Sequence, residues 1–109
     1  QDGVLCAVDW DAAGAVGAVH EAVGVALDWA GPHPTAVRSA LETYRAATDI
    51  DLPAEPWVFG GWVDAQGGWL DHNATARAGT ALGDAETAAA LDRLTRLATN
   101  LDRLLDALA

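Results

Sequence analysis

The sequence predicts a mainly α fold: a small helical bundle in one domain spanning residues 1–109. Three observations carry that reading. Leucines recur at spacings of three and four through residues 91–108, small apolar residues do the same over residues 5–30, and a glycine–proline cluster separates the first helix from a second. A chain of 109 residues, 51% of them hydrophobic, is long and apolar enough to bury one core. The expected arrangement is a long antiparallel helix pair plus a C-terminal helix, with a Trp/Gly-rich loop or hairpin inserted between them.

In the first run Leu5, Ala12, Val19 and Ala26 share one heptad position, and Val8, Ala15, Ala22 and Trp29 share the other. Val16, Val23 and Ala30 broaden the stripe, while Asp11, Gly14, Gly17, His20, Glu21, Gly24 and Asp28 form the opposite face. This predicts a helix over residues 3–30. The run Val4–Val8 also reads as a short strand, with the helix then starting at Asp11 as N-cap. Gly31-Pro32-His33-Pro34 ends the helix, because glycine suits the left-handed position after a helix end and proline blocks continuation.

Pro34 or Thr35 starts the second helix, which runs to about Thr48 on the spacing Val37, Ala40, Leu41, Tyr44 and Ala47. The short connection predicts an antiparallel neighbour. Asp51–Pro56 is a connector, since neither Pro53 nor Pro56 is tolerated in a helix interior. Trp57, Phe59, Trp62 and Trp69 then interleave with Gly60, Gly61, Gly67 and Gly68. That pattern reads either as a hairpin, with a strand over 57–63 and a turn over 64–68, or as an irregular loop pinned by its tryptophans. A helix over 71–82 fits Asp71 or Asn73 as cap and Gly83 as stop. The last helix runs from Asp84 to Ala109, capped by Asp84 and braced by an Asp92–Arg96 pair. Its packing seam is Leu91, Leu94, Leu97, Leu101, Leu104 and Leu108, with Ala98 and Leu105 on the flank. The wide stripe suits packing within the chain; a dimer through the same seam is the alternative.

Composition narrows the function classes. The net charge is −10, with six arginines and no lysine, so the surface repels phosphate backbones and anionic bilayers. Neither nucleic acid nor a membrane is an expected partner. No signal peptide or membrane span is visible, since Gln1-Asp2 lacks a basic region and Asp9 and Asp11 interrupt the apolar run. The expected location is cytoplasmic, or exported without a visible signal peptide. The single Cys6 forms no internal disulfide and reads as a small buried side chain.

No motif for catalysis stands out. His20-Glu21 begins a zinc-type H-E-x-x-H, yet Gly24 stands where the second histidine belongs. His20, His33 and His72 lie in separate segments without ligand spacing, so no metal or other cofactor is expected. Asp71-His72 are adjacent residues, which point apart on either a strand or a helix and so seldom form a dyad. Asn73-Ala74-Thr75 matches the glycosylation acceptor pattern.

Trp29-Ala30-Gly31 between two helices resembles the WXG family of small type VII secretion substrates, helical hairpins with Trp-x-Gly in the turn. The resemblance implies a secretion-associated protein that dimerises by helix packing and has no active site. The chain departs from the family where Pro53 and Pro56 cut the second helix short. It departs again at Tyr44, which is followed four residues later by Thr48 and not by an acid.

The leading expectation is a non-enzymatic protein-interaction module, acting on a protein partner or on itself through helix packing. Its partner-binding residues are read as Trp29, Gly31, Trp57, Phe59, Trp62 and Trp69, because exposed tryptophans concentrate binding energy. The same tryptophans also suit a core otherwise made of alanine and valine. One alternative is an acidic immunity or antitoxin-type inhibitor covering a basic partner. Another is a small ligand-binding protein or enzyme using Trp57–Trp69 with His72.

Overall fold

Gly31 turns the chain. Its φ of 65° is a conformation glycine adopts without a Cβ clash, and its amide still donates to the Leu27 carbonyl at 2.7 Å. Pro34 opens the next helix at a position where its missing N–H is no loss. In the computed structural model, which describes residues 17–109, these helices are α1, Ala18–Ala30, and α2, Pro34–Ala47. They pack against each other as an antiparallel pair. The Val4–Val8 strand, Cys6, Asp9, Asp11 and the first half of the apolar stripe fall outside the described residues.

The buried stripe of α1 is Ala22, Val23, Ala26 and Leu27, with Val19 and Ala30 packed at its edge. Trp29 does not join it and stands 87% exposed. At 3.6 residues per turn the stripe centres on Val19, Ala26 and Ala30, and Trp29 points about 90° away. Leu27, which the heptad pattern omits, falls inside the stripe.

After α2 the connector pins itself with the buried Leu52, and Pro56–Phe59 forms a single 3-10 turn. The next segment is neither loop nor hairpin. Gly60–Thr75 is a helix, α3, followed by α4, Ala81–Thr99, and α5, Leu101–Leu108. Four glycines lie along α3, and the two in its interior, Gly67 and Gly68, each cost about 1 kcal/mol against alanine. Tertiary contacts override that preference. Trp62, Gln66, Trp69 and Asn73 recur at helical spacing, and the first three hydrogen-bond Asp28 on α1 and Arg93 and Glu86 on α4.

The expected helix over 71–82 is therefore replaced by the end of α3 and a turn. Thr80, not Asp84, caps α4: its hydroxyl accepts from the Gly83 amide at 3.0 Å and donates to the Arg77 carbonyl at 2.7 Å. Gly83 is buried within the first turn of α4 and does not stop a helix.

The expected single C-terminal helix is bent at Asn100. Its backbone amide keeps the helical bond to the Arg96 carbonyl at 3.0 Å and its side-chain amide adds a second at 2.9 Å, while its own backbone, at φ −102° and ψ 13°, leaves the helical conformation. The bend divides the leucine seam: α4 packs on α3, and α5 packs on α2. Leu97, Leu104 and Leu108 are buried, Leu94 and Leu101 are packed at the core's edge, and Leu91 is 56% exposed, so it does not belong to the seam. Asp92 and Arg96 pair at 2.8 Å as their spacing predicts.

The result is a mainly α bundle, a slab 45 × 45 × 22 Å, about two helix diameters thick. One core joins α1, α2, Leu52, Val58, Phe59, Trp62, Leu97, Leu104 and Leu108. Beyond Trp62 the α3–α4 hairpin runs on as an arm whose buried residues are Asn73, Gly83 and Ala90. Among the described residues no helix is long and apolar enough to cross a membrane.

Candidate interaction surface

The residues read as partner-binding separate into two groups. Phe59 and Trp62 are 2% and 5% exposed, and the core uses them as bulk beside alanine-lined α1. Their burial corrects the reading of them as contact residues. Trp62 also donates its indole N–H to Asp28 Oδ1 at 3.0 Å, tying α3 to α1. Trp29, Trp57 and Trp69 are exposed.

The exposed tryptophans do not converge. Trp57 donates to Glu55 Oε2 at 2.8 Å and lies against His20, ring centroids 5.6 Å apart. Trp69 sits on the distant arm, where it donates to Glu86 Oε2, stacks on His72 at 5.9 Å and carries the Arg77 guanidinium over its ring. Its face is already covered by chain neighbours. The grooves beside α1 are lined by neither Trp69 nor His72. Gly31 serves the turn, as its left-handed backbone requires.

Each histidine has a local neighbour. His20 Nδ1 accepts the Gly61 amide at 3.2 Å, His33 lies against Gly31, and His72 lies on Trp69. Among the described residues, no three His, Cys, Asp or Glu side chains gather at one point. Asn73 is wholly buried, donating to the Trp69 carbonyl and accepting from Arg77. A glycan has no access to it in the folded chain.

Trp29 is different, because it borders empty apolar space. Between α1 and α2 runs a groove of about 430 Å³ lined by Ala22, Val25, Ala26, Trp29, Ala40, Thr43, Tyr44 and Ala47. A second groove of about 370 Å³, with Ala36 and Ser39, continues it past the other side of Trp29. No charged residue lines either, on a chain in which charged residues are 20% of the total. Small side chains at 22, 26, 40 and 47 keep the floor low, and Val25 and Trp29 stand above it. Periodicity placed Trp29 in the packing stripe; only its distance from the stripe's centre signals that it faces outward.

No protein-family model, no curated protein and no solved structure matches this chain.

Proposed function

We propose that the protein is a non-enzymatic interaction module that binds a protein partner or another copy through the α1–α2 face. The observation that carries this reading is Trp29, 87% exposed beside an uncharged apolar groove. Large contiguous apolar surface costs free energy in water, and a central tryptophan next to a shallow pocket is the usual composition of a binding hot spot. The secretion-associated role implied by the Trp29-Ala30-Gly31 resemblance belongs to the same proposal, with Trp29 as the shared residue.

The test compares the chain with Trp29→Ala and Trp57→Ala. Sedimentation velocity over a wide concentration range reads self-association, and capture from a lysate of the native host reads other partners. The expected result is association that Trp29→Ala removes and Trp57→Ala leaves intact. A chain that stays monomeric and captures nothing, or captures the same proteins without Trp29, overturns the proposal.

One further observation favours an acidic inhibitor as a second reading. Asp92 is the one carboxylate with an ion-pair partner among the described residues, so most of the negative charge faces solvent unneutralised. Capture that weakens steeply with salt and ignores Trp29→Ala distinguishes this reading from the first.

A further inference from the structure

The apolar groove does not stand alone on its face. On the other side of Val25 lies a groove of about 410 Å³ between α1 and α3, lined by His20, Glu21, Gly24, Val25, Asp28, Gly61, Trp62, Ala65 and Gln66. Val25 borders both grooves. Along α1, therefore, a ridge of Val25 and Trp29 has uncharged apolar space on its α2 side and the carboxylates of Glu21 and Asp28 on its α3 side. Glu21 and Asp28 are seven residues apart, which puts them in line along the helix. Both are exposed, neither has a cationic partner among the described residues, and Trp62 holds the Asp28 carboxylate in place.

Resting on the docking role proposed for Trp29, we infer that this face takes an amphipathic helix from a different protein. That helix carries arginine or lysine along one edge of its apolar stripe. Its apolar side chains fill the α1–α2 groove, where the alanine floor lets a helix backbone approach closely, and its basic edge lies over Glu21 and Asp28. Charge selects the partner. A second copy of this chain has no lysine, and of its six arginines Arg38 and Arg45 are committed to α5 carbonyls. Two copies meeting on this face bring Glu21 and Asp28 onto a surface of the same sign, at a net charge of −10 each.

The test uses fluorescently labelled synthetic helical peptides with one common leucine stripe and either lysines or glutamates along its edge. A lysine-rich peptide with the stripe scrambled is the third probe. Binding is read by anisotropy at low ionic strength. The lysine-edged peptide is expected to bind about tenfold tighter than the glutamate-edged one, the size two partly exposed ion pairs supply. Glu21→Gln is expected to remove part of that preference and Glu21→Gln with Asp28→Asn nearly all of it, while Trp29→Ala weakens both stripe peptides. The single variant leaves the Asp28–Trp62 bond in place, and circular dichroism checks the fold of both. Equal binding of the two stripe peptides, or a preference that survives Glu21→Gln and the double variant, overturns the inference while Trp29-dependent binding keeps the docking role. Equally tight binding of the scrambled peptide also overturns it, since net charge then accounts for the affinity. Binding indifferent to Trp29→Ala overturns both.

Discussion

A Cβ placed on Gly83 would sit 2.0 Å from the carbonyl oxygen of Arg77. The first turn of α4 is thus packed directly on the backbone that leads into it. Gly83→Ala is expected to lower stability by about 1–3 kcal/mol, because backbone has to move to admit the methyl group. Gly67 and Gly68, on the open side of α3, meet nothing within 4 Å, and alanine there is expected to add about 0.5–1 kcal/mol each. Urea midpoints of the three variants check the opposite signs.

Trp29 and Trp62 are predicted to divide binding from stability. Trp62→Ala removes a side chain 5% exposed and is expected to cost about 3–5 kcal/mol. Trp29→Ala is expected to change stability by less than about 0.5 kcal/mol, as for other substitutions in solvent. Thermal melts measured beside the binding experiments show whether the residues separate in this way.

Asn73 holds the arm. Its amide donates to the Trp69 carbonyl at 2.8 Å and its oxygen accepts from Arg77 at 3.2 Å, with no exposure to water. Asn73→Ala leaves Arg77 without that acceptor and is expected to cost about 1–3 kcal/mol. The loss should be local: amide exchange accelerates from about residue 66 to residue 90 and stays slow at Leu27 and Leu41.

Arg45 donates to the Leu108 carbonyl, and Arg38 to the Asp106 carbonyl at 3.1 Å. These guanidiniums satisfy the open end of α5 and offset its negative pole. Arg45→Ala is expected to cost about 1–2 kcal/mol, with Arg45→Lys retaining part of the effect. Faster exchange of the α5 amides, with α3 unchanged, is the matching observation.

Much of the fold was legible because local chemistry decided it. Gly31 and Pro34 mark the α1–α2 turn, the α2 boundaries fall where Pro34 and Thr48 indicate, and Asp92 meets Arg96. The α3 helix was not legible from hydrophobic spacing, because the side that bonds α1 and α4 mixes Trp62 and Trp69 with Gln66, and the next position in line is Asn73. Its glycines also read as turns until the hydrogen bonds to Arg93 and Glu86 are known. Gly83 reads as a helix stop because the Arg77 backbone it packs on lies across a turn, and the break at Asn100 leaves no mark on the leucine spacing, which runs straight through it. Trp29 reads as a contact residue by its type and as part of the apolar stripe by its spacing, and the structure leaves it outside the stripe. The α1–α2 groove beside it depends on which alanines two helices bring together, and no single segment encodes that.

The seating of α5 on α2 also sets an order of events during synthesis. The Arg38–Asp106 and Arg45–Leu108 bonds join residues 68 and 63 positions apart. α2 is complete at Ala47, yet Leu104 and Leu108, which cover its buried side chains, emerge more than fifty residues later. At about 5–20 residues per second the interval lasts several seconds. Through that time Val37 and Leu41 have no α5 to cover them. The nascent chain therefore shows the cell an incomplete helix pair before the folded protein exists, and a factor that shields apolar helices on the ribosome would act in that window.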